Sequence, residues 1–227
     1  MTDVVLLQGS TQSPAGFRRL VAALTRRGHR PVTTDLPSAA APTADGYADL
    51  LVAGLPADLD RPVVVAHSAS GLILPALAER LDAVRQVWLA AVVGDHRGQR
   101  SLMTELQADP PAVFNPEWLA TGRGIDDVAA TYFLFHDADW TTLREVLGTV
   151  SLCDLSALYA EVPTTDPAAR PSTYLLPTGD RTLRPTWMAA AARERLGVEP
   201  VELPGGHNNF VAHAERVAQE IDRAARG

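Results

Sequence analysis

Two hydrophobic rhythms alternate along this chain. Apolar, mostly β-branched runs at 4–8, 31–34, 62–66, 86–93 (QVWLAAVV), 172–176 and 198–202 read as strands. Between them, residues 14–27 place Phe17, Leu20, Val21 and Leu24 at helical spacing, with Gly28 as a C-terminal stop. Further helical patterns cover 44–57, 70–82, 185–196 and 209–225. The 86–93 run has no polar face, which suits a strand buried on both sides. Strands alternating with helices predict an α/β fold: a doubly wound, mostly parallel sheet flanked by helices. In such sheets ligands bind beyond the C-terminal ends of the strands.

The rhythm breaks between Gly94 and Arg170. That stretch carries Pro110-Pro111, Trp118, Tyr132-Phe133-Leu134-Phe135 and Trp140, and ends in a polar tail running from Pro163 to Pro171. Its helical patches, near 99–107, 125–135, 140–148 and 152–160, have no strand patterns between them. The expected organisation is a core made of residues 1–94 and 171–227, with 95–170 as a helical cap insertion over the strand ends.

Composition narrows the function classes. With 227 residues, 46% hydrophobic and 21% charged, the chain suits one globular domain with a real core. A net charge of −7 argues against a nucleic-acid surface or an anionic membrane partner. The single cysteine, Cys153, excludes an intrachain disulfide, reads as a packed core residue and fits a reducing compartment. The N-terminus enters the Val4-Val5-Leu6-Leu7 run without a basic stretch, and no apolar run has membrane-span length, so a cytoplasmic protein is expected.

The chemistry concentrates at Val63-Val64-Val65-Ala66-His67-Ser68-Ala69-Ser70-Gly71. A strand that stops at a serine and passes at once into a helix pushes the hydroxyl out of the sheet, as a nucleophile needs. Ser68 or Ser70 would equally serve as a helix N-cap. The usual elbow has glycine on both sides of the serine's neighbours; here Ala66 and Ser70 take those places.

A nucleophilic serine needs a base, and the base needs an orienting acid. Of six histidines, His29 follows a helix stop and reads as a solvated loop residue, and His67 sits inside the elbow. His96 and His136 lie at and within the insertion, and His213 lies in the last helix. His207 stands apart, in Pro204-Gly205-Gly206-His207-Asn208-Asn209, a loop after the final strand. For the acid, Asp180 follows the penultimate strand in Thr178-Gly179-Asp180-Arg181, and Asp95 in Gly94-Asp95-His96 is its rival. The order Ser68, Asp180, His207 favours Asp180. His136-Asp137-Ala138-Asp139 has metal-ligand residue types but reads as a solvated turn.

Together these elements resemble the α/β-hydrolase fold family, and within it the small, capped, esterase-like members. The resemblance runs through Leu6-Leu7-Gln8-Gly9-Ser10, Asp35-Leu36-Pro37, the Ser68 elbow, Gly179-Asp180-Arg181 and Gly205-Gly206-His207 before Phe210. It implies an oxyanion hole built from the backbone amides of Ala69 and Ser10, and a structural role for Asp35. Members usually read His-Gly where this chain has Gln8-Gly9.

The resemblance implies acyl transfer to water by a serine hydrolase with no metal and no organic cofactor, and the Leu, Phe, Tyr and Trp of the cap point to a small or medium apolar ester or thioester as substrate. Gln8, Phe133, Phe135, His136 and Trp140 are the candidate substrate contacts. The expected partner is a small molecule, with a homodimer left open. Lyases and cyclases of natural-product pathways resemble the same set, with His207 as base, and a ligand-binding protein on the same fold is a third reading. Epoxide hydrolases and dehalogenases place Asp where this chain has Ser68, so those readings fail.

Overall fold

Six parallel strands form one sheet in the order β2-β1-β3-β4-β5-β6. They are β1 (Asp3–Leu7), β2 (Arg30–Thr34), β3 (Val63–His67), β4 (Arg85–Leu89), β5 (Ser172–Pro177) and β6 (Val201–Leu203). The computed structural model describes residues 1–37, 41–122 and 124–227. The alternating pleat sends successive side chains to opposite faces. Val5, Leu7, Val64, Ala66 and Trp88 therefore enter one apolar layer, and Val4, Leu6, Val63, Val65 and Val87 enter the other. Both faces need cover, which is why the strands read as unbroken apolar runs.

Helices Ala44–Gly54 and Leu74–Arg80 close the first face through Tyr47, Leu51, Leu74 and Leu77. Helices Arg18–Arg26 and Ala214–Arg226 close the second through Leu20, Leu24, Val217 and Ile221. Each such fully buried aliphatic side chain contributes about 2 kcal/mol of transfer free energy. Because β1 lies between β2 and β3, the winding reverses between β1 and β3. The tips of these two strands carry Gly9-Ser10 and Ser68, so the serine sits at the topological switch point.

Most expected elements fall within a few residues of their observed bounds, and the exceptions have physical causes. The 86–93 run leaves the sheet after Leu89, where Ala90 takes a φ of +46°. Ala90, Ala91, Val92 and Val93 stay buried as a loop packed behind the Ser68 turn, so burial alone demanded apolar residues there. Tyr174 Oη donates to Ala91 O at 2.7 Å, and Val92 N–H donates to Ser68 O at 2.9 Å, holding that loop in place. The last strand is Val201–Leu203 rather than 198–202. The last helical pattern divides at His213 into Asn209–Ala212 and Ala214–Arg226.

Among the described residues, 95–170 contributes no strand to the sheet. Its helices are Leu102–Ala108, Pro110–Val113, Pro116–Ala120, Asp127–Ala129 continuing into the wide turn Ala130–Leu134, Trp140–Val146 and Ser156–Ala160. The two proline-led pieces are additions to the expectation. Asp109 caps the first by accepting from Ala112 N–H at 3.3 Å, and Asn115 caps the second by accepting from Glu117 N–H at 3.1 Å. Proline at a first helical turn gives up no needed amide, so these prolines start helices rather than break them. No described helix is long and apolar enough to cross a membrane.

Candidate active site

β3 ends at His67, and Ser68 begins a tight helical turn, Ser68–Leu72, with its backbone at φ +57°. A non-glycine residue in the left-handed region costs about 1–3 kcal/mol and persists only where surroundings enforce it. Here the enforcing contacts are close. A side chain at Gly71 would collide with Val92 O, and a Cβ at Gly9 would lie 2.8 Å from both Ser68 Cβ and His67 Nδ1. The two serines of the elbow divide the roles left open by sequence. Ser70 Oγ donates to His67 O at 2.7 Å, closing the turn, whereas Ser68 Oγ lies 2.9 Å from His207 Nε2.

His207 arrives on the loop after β6 and is 1% exposed. Its Nδ1 lies 2.7 Å from Asp180 Oδ2, beyond the end of β5. Asp180 is fixed by its other oxygen, Oδ1, which accepts from Thr182 N–H at 2.7 Å and Leu183 N–H at 3.0 Å. With Nδ1–H donated to the carboxylate, Nε2 presents its lone pair to the Ser68 hydroxyl. Three residues from distant parts of the chain thus form one continuous hydrogen-bonded line. Asp95 is engaged elsewhere: it accepts from Gly98 N–H at 2.8 Å and pairs with Arg100 at 2.8 Å.

Behind this line lies His67, fully buried, with its ring 4.7 Å from that of His207 and 5.0 Å from Phe210. Its Nε2–H donates to His207 O at 3.1 Å. Burial, and then the neighbouring His207, pushes the His67 imidazole well below its ordinary value, so it stays neutral. The sequence reading set His67 aside; in the structure it holds the backbone of the residue facing Ser68. His29, expected in solvent, is buried instead and bonds through Nε2 to Asp222 Oδ1 at 2.9 Å.

Ser10 O accepts from Cys153 N–H at 2.8 Å, tying the loop after β1 to the 95–170 segment. Ser10 also lines a cleft of about 510 Å³ with Thr11, Trp118, Ile125, Leu152, Leu155 and Tyr159. Cys153 packs against the core and also lines this cleft, and burial raises its thiol, with Asp154 and Asp35 adding to the effect.

The five expected substrate contacts occupy different settings. Phe133 and Phe135 are buried in the layer containing Phe17 and Phe210, where aromatic side chains serve packing. Trp140 is 73% exposed at the start of its helix and is not among the cleft residues. His136 packs against the glycine backbones of the two loops bearing Asp180 and His207: a side chain at Gly206 would collide with it. Burial, then Arg181, lowers the His136 imidazole. Gln8 Nε2 donates to Asp35 Oδ1 at 2.8 Å, and Gln8 lines a smaller cleft, about 340 Å³, with Gln12, Tyr47 and Cys153. The cleft's apolar wall, Trp118, Ile125, Leu155 and Tyr159, escaped the sequence reading because helical spacing marks burial without saying which face meets a cavity.

The His136–Asp139 turn is not simply solvated either. Asp137 Oδ2 accepts from Gly206 N–H at 3.0 Å, and Asp139 caps the following helix by accepting from Thr142 N–H at 2.7 Å. No group of three or more His, Cys, Asp or Glu side chains placed to hold a metal ion occurs among the described residues.

Comparison with known proteins agrees with this architecture. Solved structures similar across the whole chain include a pyrethroid hydrolase from Sphingobium faniae JZ-2, at 16% identity and a TM-score of 0.78, covering 100% of this chain and 98% of that one. Polyneuridine aldehyde esterase matches at 14% identity and a TM-score of 0.74, covering 97% and 99%. A variant of tomato methylketone synthase I complexed with β-ketoheptanoate matches at 15% identity and 0.76, covering 99% and 98%. Likeness at such identities speaks for the fold alone. No curated protein matches the sequence. The profile of the alpha/beta hydrolase family matches residues 4–220, and the chain belongs to that family.

Proposed function

We propose that this protein is a serine hydrolase that cleaves a small or medium apolar carboxylic ester or thioester through an acyl-enzyme. The observation that carries the reading is the unbroken line from Ser68 Oγ through His207 to Asp180, at 2.9 and 2.7 Å. Ser68 Oγ attacks the carbonyl carbon while His207 Nε2 takes its proton. Asp180 holds the imidazole in the tautomer that can accept, and offsets the positive charge that forms. The amides of Ala69 and Ser10 receive the oxyanion, each such donor contributing about 3 kcal/mol to the transition state. His207 returns the proton to the leaving group and then activates water for deacylation. Residues 95–170 act as a cap, and the Trp118–Tyr159 cleft takes the apolar part of the substrate; its volume, about 510 Å³, lies within the range of small-molecule sites.

A fluorophosphonate probe tests the nucleophile: labelling is expected at Ser68 and absent in Ser68→Ala. Turnover of p-nitrophenyl esters of increasing chain length tests the reaction. Labelling without turnover of any ester would move the chemistry to the lyase or cyclase alternative, in which His207 works as a base with no acyl-enzyme. A folded protein that is neither labelled nor active would move the reading to the lyase or cyclase alternative or to ligand binding.

A further inference from the structure

We propose that Asp137, a residue of the 95–170 segment, is a positioning residue for His207, acting by gripping the backbone immediately before it; this rests on Ser68, His207 and Asp180 being the reacting set. Asp137 Oδ2 accepts from Gly206 N–H at 3.0 Å and lies 3.3 Å from His213 Nε2, so one carboxylate oxygen joins the residue before His207 to the residue that ends the short helix Asn209–Ala212. The fit leaves no room for side chains. A Cβ on Gly205 would collide with Asp137 Oδ2, and one on Gly206 would collide with His136. One on Gly179 would lie 2.9 Å from Gly205 O, which already accepts from Gly179 N–H at 3.0 Å. The loop of the base and the loop of the acid are therefore pressed together under the His136-Asp137 turn.

On the far side of His207 a second tie reaches the same segment. Asn208 N–H donates to Leu134 O at 3.3 Å, and Asn208 Nδ2 donates at 3.0 Å to Gln12 Oε1, whose own amide nitrogen donates to Thr149 Oγ1 at 3.0 Å. The imidazole is bracketed, with residues before and after it both anchored outside the core. Asp137 itself sits in a short turn closed by Ala138 N–H donating to Phe135 O at 2.9 Å, and the Asp139 cap follows directly. A rigid turn holding a flexible glycine loop fixes the loop. Without the carboxylate, Gly205 and Gly206 regain conformational freedom and His207 loses its register with Ser68.

The test compares Asp137→Ala and Asp137→Asn with wild type on a p-nitrophenyl ester, with thermal melting to verify folding. Displacing a reacting group by about 1 Å costs up to about 100-fold, so Asp137→Ala is expected to lower kcat by about 10- to 100-fold with KM little changed. Labelling of Ser68 by fluorophosphonate should slow by a similar factor. Asp137→Asn keeps an oxygen for the Gly206 amide and should recover most of the loss. A folded Asp137→Ala protein with wild-type kcat, or one whose loss lies wholly in KM, overturns the proposal, as does an Asn variant no better than Ala. Should the Ala variant not fold, Asp137→Ser, whose hydroxyl is too short to reach the amide, takes its place with the same expectation. Should wild type neither turn over nor label, it is the serine-hydrolase reading that fails. The downfield proton resonance of the His207 Nδ1–Asp180 bond then reads positioning directly. Loss in Asp137→Ala and retention in Asp137→Asn support Asp137; an unchanged resonance in Asp137→Ala overturns it.

Discussion

The elbow after β3 and the 95–170 segment are held by different forces. Around Ser68 the chain is buried and crowded: Gly9 and Gly71 have backbone or the serine itself where a side chain would go. The 95–170 segment is made of short pieces started by Ser101, Asp109, Asn115, Asp126 and Asp139 caps. It leaves Leu119, Val128, Tyr132, Trp140 and Leu152 facing solvent. A crowded elbow admits almost no variation, because close-packed backbone cannot give way. A capped, loosely covered segment tolerates change on its outer face and meets constraint only where it touches the core. On the proposed function the first region supplies the reactivity and the second the shape, with the proposed Asp137 grip crossing between them.

The sharpest break lies in the reacting line. Ser68→Ala or His207→Ala should lower kcat by about a million-fold, and Asp180→Asn by about 10⁴-fold, in ester turnover. Asp95→Asn should leave kcat within a few-fold and show its effect in melting temperature; the reverse pattern would move the acid to Asp95. Packing comes next. Phe135→Ala, buried in the layer with Phe17 and Phe210, should destabilise by about 3–5 kcal/mol in urea unfolding. Were Phe135 a substrate contact instead, the change would appear in KM with little loss of stability. Gly71→Ala drives a methyl into Val92 O and should cost about 1–3 kcal/mol together with activity.

Within the cleft, Trp118→Ala should raise KM for longer-chain esters by about tenfold while short-chain esters change little, since each methylene contacting such a wall is worth about 1–3 kcal/mol. Trp140→Ala, on the exposed face, should stay within about 0.5 kcal/mol of wild type and keep full activity. A pH effect separates His67 from its surroundings. Its imidazole is depressed by folding from an ordinary value of 6.5, so below that pH the unfolded chain binds a proton that the folded chain refuses. Stability should therefore be fully present above about pH 6.5 and decline as pH falls, by up to about 1.4 kcal/mol per unit. His67→Gln retains a donor for His207 O and should flatten that decline by about one proton; an unchanged slope would show that His67 is not the group responsible.

The strands and core helices were legible because a doubly covered parallel sheet imposes its burial on consecutive residues. The serine, acid and histidine were legible because each follows a strand at the same edge of the sheet. Extent was harder to read than existence. Ala90 to Val93 look like strand because a buried loop asks for the same residues, and only the positive φ at Ala90 ends the pairing. The aromatics of 95–170 were hard to tell apart for the same reason: Phe133, Phe135 and Trp118 carry equal hydrophobic signal, yet the first two are buried in one apolar layer while Trp118, in edge contact with Phe133, also lines the cleft.

By itself, then, the sequence determined the alternation of elements and placed the Ser68 elbow, His207 and the two rival acids, Asp180 and Asp95, after strand ends. These follow from local periodicity and from the rule that parallel strands bring their C-terminal ends together. Only the tertiary structure decided that Ser70 closes the turn while Ser68 faces His207, that Asp180 rather than Asp95 completes the line, and that Asp137 reaches Gly206. Apart from the local bond that closes the elbow, those outcomes depend on hydrogen bonds between residues far apart in the chain. No pattern along one dimension encodes a distance across three.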